Sequence, residues 1–451
     1  MSAPDDTEDR GVTPKEALAV AAGILRKGQF EQAAEIYRRI LEVVPDEPDA
    51  HHFFGVAVYH LGKTKDALAH IARAIEIDPA YADAHNNLGN VLRQQGRLDE
   101  ADAAYRQALA LRPDGADTLN NVGTIQRARG QLDEAVASYR RAIEIAPEHS
   151  EAHHNLGNAL LALGRDDEAL DCFHLTMKLR PYHPASYRNL GTALYSLGRV
   201  EDAADVYRRW LAIEPDHPEP AHMLSACTGE NIAPRASDGF IRNMFDRFAY
   251  SFDDVLQRLE YKAPAVVAET IAKVVGAPEG KLDVLDAGCG TGLGGPLFRP
   301  HAKRLVGIDL SERMLGFARD RGAHDELAVA ELTAYLEQHP AAYDLVASVD
   351  TLVYFGDLAA AARGLALALR PGGHAVFTLE KVDAADAPAG YRLNPHGRYS
   401  HAESYVRRVL EDAELAVVSM DDAVLRLERN QPVAGLVVVA KKPAGVSRTS
   451  S

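Results

Sequence analysis

Six prolines, at positions 45, 79, 113, 147, 181 and 215, stand 34 residues apart, and glycines at 28, 62, 96, 130, 164 and 198 keep the same step. Five residues after each of these glycines comes an alanine (Ala33, Ala67, Ala101, Ala135, Ala169, Ala203), and four further on a bulky residue (Tyr37, Ile71, Tyr105, Tyr139, Phe173, Tyr207). A second glycine recurs as Gly55, Gly89, Gly123, Gly157 and Gly191, with Ala21 in its place in the first repeat. These registers predict six helix–turn–helix units. The turn glycine ends the first helix, the alanine lets the second helix approach it, the bulky residue fills the gap, and the proline stops the second helix. No such unit buries its apolar face alone, so the units must stack into an α-solenoid.

The pattern resembles the tetratricopeptide repeat over roughly residues 14–217, with 218-PEPAHMLSACT-228 as a closing helix. The resemblance implies a concave groove that holds a peptide or protein segment. Asn87, Asn121, Asn155 and Asn189 share one position in four successive first helices and should form a ladder. A primary amide donates and accepts at once, which suits it to a peptide backbone; the same amides could equally bond to neighbouring helices. After residue 228 the period vanishes, and 229-GENIAPRASDG-239 reads as a linker. Residues 1–13 and 442–451 read as disordered ends.

From 240 the pattern changes. An aromatic-rich helical segment places Phe245, Phe248, Phe252 and Leu256 on one face. Apolar strand candidates then alternate with helical stretches, at 282–286, 304–309, 326–330, 343–349, 374–380, 415–420 and 433–440. This predicts a seven-stranded Rossmann-like α/β domain over 240–441, with the last two strands as an antiparallel edge hairpin and the ligand at the carboxyl ends of the parallel strands. The first strand runs into 282-LDVLDAGCGTGLGG-295, an acidic residue followed by a glycine-crowded turn that brings backbone N–H groups close to a nucleoside-type ligand. Asp309 ends the second strand, where a carboxylate binds ribose hydroxyls, and Glu331 follows the third, where it or its backbone could read an adenine edge.

The set LDAGCGTG, GIDLS with ERML after it, YDLVASVDTLVYFGDL and LRPGG resembles the class I S-adenosylmethionine-dependent methyltransferases. The resemblance implies S-adenosylmethionine as cofactor. Gly288, Cys289, Gly290 and Gly292 would cradle its methionine end, with Asp286 orienting the loop. Asp309 and Leu310 would bind ribose, Glu331 and Leu332 adenine, and Val349 and Asp350 would lie beside the sulfonium. Phe248 and Tyr250 match the lid position, although a tyrosine at 250 departs from the usual polar residue.

Methyl transfer needs alignment and, for a protonated acceptor, a base. The richest stretch for the acceptor wall is 390-GYRLNPHGRYSHAESY-405. There Arg392 and Arg398, with Tyr391, could hold an acceptor carboxylate, and His396 or His401 could take a proton, with Tyr399 and Tyr354 as further candidates. The same stretch also reads as a solvated loop. The net charge of −16 argues against broad binding to nucleic acid or an anionic membrane. The start MSAPDDTEDRG is polar rather than a signal sequence, and three distant cysteines suit a reducing cytoplasm and exclude zinc-ligand spacing. Three functions follow: a methyltransferase acting on a peptide or protein captured by the repeats, a small-molecule methyltransferase whose repeats recruit a partner or mediate self-association, and a non-catalytic S-adenosylmethionine-sensing adaptor.

Overall fold

The computed structural model describes residues 12–428 and 431–444, so most of the expected disordered ends lies outside the described residues. The chain falls into two compact units, the first ending at Ala193 and the second beginning at Leu194.

In the first unit, helices of thirteen and fourteen residues alternate: Pro14–Arg26 and Phe30–Val43, Pro48–His60 and Thr64–Ile77, Ala82–Gln94 and Leu98–Leu111, Ala116–Ala128 and Leu132–Ile145, Ser150–Ala162 and Asp166–Leu179. The turn glycines from Gly28 to Gly164 all have φ between +72° and +78°, the left-handed region that a side chain disfavours. The second glycines answer a different demand. A Cβ on Gly89 would lie 2.5 Å from Tyr105 Cε1, and one on Gly123 2.7 Å from Tyr139 Cε1, so the ring of the second helix lies directly on the backbone of the first. Ala33, Ala67, Ala101, Ala135 and Ala169 are fully buried in the same seams. The expected reading of the repeat positions is the observed one.

The second unit opens with the helices Val200–Ile213 and Pro218–Thr228, followed by Asp238–Phe248, Phe252–Arg258 and Ala263–Val275. Its strands are β1 (Leu282–Ala287), β2 (Ala302–Asp309), β3 (Glu326–Val329), β4 (Tyr343–Ser348), β5 (Leu369–Lys381), β6 (Tyr391–Leu393), β7 (Tyr399–His401), β8 (Ala416–Glu428) and β9 (Gln431–Lys441). The main sheet runs β3-β2-β1-β4-β5-β9-β8, parallel through β5 and antiparallel beyond it. Strand order reverses between β1 and β4, which places a crevice at their carboxyl ends. Both faces are covered: Leu285 and Val306 pack with Leu336, Leu365 and Val406 on one side, while Val284 and Leu305 pack with Val267 and Ile271 on the other.

Three expectations need correction. Residues 390–405 form a hairpin rather than a solvated loop. Glu380 pairs with Gly435 of β9 and with Ser400 of β7, so β7 takes the edge of β5 that β4 has vacated and the sheet gains two short strands just beyond the end of β4. The fifth strand starts at Leu369 rather than at 374, directly after the helix Ala359–Ala368, and in it Arg370 Nη1 holds Asp283 (2.7 Å) and Asp344 (2.8 Å) at the amino ends of β1 and β4. Residues 229–239 are no free linker. Pro234 O accepts from Gly356 N and Asp357 N, both at 2.8 Å, and Ala236 N donates to Tyr354 O at 2.8 Å. The closing helix Pro218–Thr228 is docked just as firmly: His222 Nε2 lies 2.8 Å from Gly397 O in the β6–β7 turn, and Glu219 meets Arg247 at 3.2 Å. Packing therefore assigns the end of the repeat array to the second unit.

Candidate active site

β1 ends at Ala287 because the next residues cannot continue a strand. Gly288, Gly290 and Gly292 have φ of +80°, +54° and +81°, and Gly288 N and Cys289 N both turn onto Ile308 O of β2 at 2.9 Å. Asp309, the last residue of β2, receives Gly290 N on one oxygen (3.0 Å) and Ser311 N on the other (2.9 Å). Burial pushes its carboxyl up to about 6, against the pull of those backbone donors. Glu331 caps the helix Leu332–Gln338, its Oε2 accepting Ala334 N at 2.8 Å, while its buried Oε1 has no partner. Two carboxylates with unspent lone pairs thus stand at the ends of neighbouring strands.

They line one cavity of about 310 Å³ together with Gly288, Gly290, Leu310 and Leu332, and with Val349 and Asp350 after β4. Phe245, Phe248, Phe252 and Leu256 line it as well, so the expected aromatic face of the lead helices is one of its walls. The far end is charged. Asp350 has a φ of +52°, strained for a residue other than glycine, and is held there by its neighbours. Its N donates to Thr378 Oγ1 (2.8 Å), Thr378 donates back to Oδ1 (3.0 Å), and Arg426 Nη1 holds Oδ2 (2.8 Å). Arg426 also bonds Glu428 (2.7 Å) and Glu380, and Arg398 bonds the same two glutamates at 2.6 Å each. Tyr261 and Tyr354 complete this end, the phenol of Tyr354 pushed up to about 12 by burial.

Several expected residues stand elsewhere. His401 is fully buried with Nε2 3.2 Å from Gly356 O, and burial lowers its imidazole to about 4, so it braces the wall and does not face the cavity. Tyr399 is equally buried and donates to Ala233 O at 2.8 Å. His396 lies behind Glu380 at 3.6 Å, Tyr391 packs on Tyr399 and Tyr405, and Arg392 is exposed and bonded to Asn394. Tyr250 is 81% exposed with its ring against Phe317. Cys289 and Gly292 shape the glycine turn without lining the cavity. Asp286 bonds His324 Nε2 at 3.0 Å rather than the turn amides. In the asparagine ladder the side-chain donors bond other side chains: Asn121 to Asn86 (3.0 Å), Asn155 to Asn120 (2.9 Å), Asn189 to Asn158 (2.6 Å) and Asn87 to His52 (2.7 Å). Each of these amides therefore makes one bond between neighbouring helices.

Sequence reasoning missed Arg235, Tyr261, Glu380, Arg426, Glu428 and His324. Arg426 and Glu428 alternate with Leu425 and Leu427, the pattern of a strand with one wet face, but β8 runs eight residues past its expected end. Arg235 carried no signal, because it sits in a stretch that reads as linker.

The second unit is thus a doubly wound sheet with a glycine turn at its switch point and acidic residues ending β2 and following β3, and a helical repeat array precedes it. Comparison with known proteins names both parts. A family model described as a tetratricopeptide repeat matches residues 25–82, and another of the same description residues 80–148 and 148–216; a model described as a methyltransferase domain matches residues 285–377. The chain carries tetratricopeptide repeats followed by a methyltransferase domain. A ubiquinone biosynthesis O-methyltransferase from Azoarcus sp. (strain BH72) is 30% identical over 152 residues, 30% of this chain and 65% of that protein. One from Idiomarina loihiensis is 27% identical over 175 residues, 35% of this chain and 69% of that protein. Across the first curated relatives the chain spans between 41% and 69% of their length. A solved structure of Pseudomonas aeruginosa PilF has a TM-score of 0.41 at 20% identity, covering 45% of this chain and 92% of that one. Among the described residues no helix is long and apolar enough to cross a membrane.

Proposed function

We propose that this chain transfers a methyl group from S-adenosylmethionine. The observation that carries the reading is the pair Asp309 and Glu331: two half-buried carboxylates in one cavity, one with a buried oxygen that has no partner, beside a glycine turn with no side chain in the way. Asp309 retains acceptor capacity for a ribose diol, and Glu331 Oε1 for an adenine amine. When bound, the cofactor supplies an electrophilic methyl group on a positively charged sulfur. The chain's own part is alignment and exclusion of water by Phe245, Phe248 and Phe252, with Asp350 and Tyr354 at the end where an acceptor would enter. Calorimetry tests the site: Asp309→Ala should weaken S-adenosylmethionine binding at least tenfold, and unchanged affinity would remove the assignment.

For the acceptor, our reading is a peptide or protein segment brought by the repeats. It rests on the repeat array itself, a fold used for protein binding, and not on the asparagine ladder, whose amides bond across neighbouring helices. A second reading, a small molecule methylated on oxygen, is favoured by the aromatic lining of the cavity and by the relatives named above. Full-length protein incubated with methyl-labelled S-adenosylmethionine and a fractionated lysate separates the two, since label enters protein in one case and small solutes in the other. A cytoplasmic setting belongs to this proposal and rests on three free cysteines.

A further inference from the structure

The charged end of the cavity does not balance. Asp350, Glu380 and Glu428 face Arg398 and Arg426, three carboxylates against two guanidiniums, and the third guanidinium lining the cavity, Arg235, is paired with Asp238 at 2.6 Å. The histidine at the edge of the group supplies no sixth charge, since burial lowers His396 to about 4 and leaves it neutral. The side chains of Arg426, Glu380 and Asp350 are only 5%, 6% and 16% exposed, so water does little to screen the surplus. Burial raises the Asp350 carboxyl although Arg426 and Thr378 both oppose this, and the charge of Glu380 adds to the rise. Glu380, with Arg398, His396 and Arg426 around it, stays below the usual carboxylate range in spite of its own burial. Tyr261 and Tyr354, which also line this end, are neutral phenols. Buried charge clusters are costly to leave unbalanced, so one lacking a cation is prepared for one that arrives with a ligand.

Resting on the reading that this cavity takes S-adenosylmethionine, we propose that the cluster of Asp350, Glu380, Glu428, Arg398 and Arg426 selects the cationic cofactor over its neutral product. Methyl transfer removes the positive charge from sulfur. The demethylated product, S-adenosylhomocysteine, then meets a cluster that is again one cation short, and leaves. Asp350 and Glu428 act here as specificity-determining residues for cofactor against product.

Calorimetry of the full chain with S-adenosylmethionine and S-adenosylhomocysteine, with no acceptor present, reads this out as a ratio of affinities. The wild type should bind S-adenosylmethionine the more tightly. Asp350→Asn should reduce that preference about tenfold, the order expected for one unit charge a few ångströms away in a partly screened site. Glu428→Gln, at a carboxylate whose side chain is 35% exposed, keeps the test open should Asp350→Asn fail to fold, and should shift the ratio the same way. Tighter binding of S-adenosylhomocysteine by the wild type, or an unchanged ratio in both variants, would overturn the proposal. Failure of the wild type to bind either compound would instead overturn the cofactor reading, and this proposal with it.

Discussion

Arg426 Nη1, near the far end of β8, lies 2.8 Å from Oδ2 of Asp350, a residue that follows β4 with a φ of +52°. One guanidinium, 5% exposed, therefore holds a strained backbone, a buried carboxylate and the edge hairpin of the sheet together. Replacing it leaves Asp350 and Glu380 buried with one counterion fewer. Arg426→Met should lower stability by about 3–5 kcal/mol, read from the midpoint of urea unfolding, because the loss of one partner of a buried pair costs far more than the pair contributes.

On the proposed reading, the Asp309 carboxyl, raised to about 6 by burial, should set a pH limit on binding of S-adenosylmethionine. Above that value it is ionised and accepts hydroxyl donors; below it a proton must be lost before the same bonds form. Affinity for S-adenosylmethionine should be flat above about pH 6.5 and fall by up to about tenfold per unit as pH drops below about 6. Asp309→Asn should bind weakly and remove that part of the pH dependence. Titrations between pH 5 and 8 decide it.

The two glycine classes of the repeats should separate cleanly in thermal melts. Gly89→Ala drives a methyl group to 2.5 Å from a buried tyrosine ring and should cost about 1–3 kcal/mol, as overpacking does. Gly62→Ala meets nothing within 4 Å, and its penalty of about 1 kcal/mol comes from a φ of +78° alone. Gly89→Ala combined with Tyr105→Leu should recover part of its loss, and no substitution on the facing helix should rescue Gly62→Ala.

A fragment spanning 194–451 should fold, whereas one spanning 229–451 should melt at lower temperature. The shorter piece loses His222 against Gly397 O, Glu219 against Arg247 and the cover over the β6–β7 turn. Differential scanning calorimetry of the two fragments checks this. Equal melting temperatures would mean that the docked helix adds nothing to the second unit.

The repeats were legible in the sequence because their period states the packing directly: Gly89 and Tyr105 meet for the reason that their spacing implied. The glycine-turn end of the cavity was legible for a similar reason, since Asp309 and Glu331 sit at strand ends that apolar runs mark out. The other end was not. Arg426 reaches Asp350 across 76 residues of chain, and nothing local to either residue reports the other. Tyr and His in 390–405 drew attention through their chemistry, yet His401 and Tyr399 alternate with Ser400 in a strand that pairs with β5 and are buried by that pairing. Pro234 and Arg235 read as linker because turn-forming composition is also what a short clamp across a loop needs.

His324 occupies space that other positions must leave clear. Its ring would lie 2.7 Å from a Cβ on Gly295 and 2.8 Å from one on Gly307, and Cys289 Sγ crowds Gly307 from the other side. One imidazole, bonded to Asp286 beneath the glycine turn, thus crowds two sites far apart in the chain, together with Ala323 at the first and Leu327 at the second. In relatives these positions should change as a set: alanine becomes admissible at 295 only where His324 gives way to a smaller residue and Ala323, whose Cβ would lie 2.9 Å away, gives way to glycine; where His324 stays, glycine stays with it.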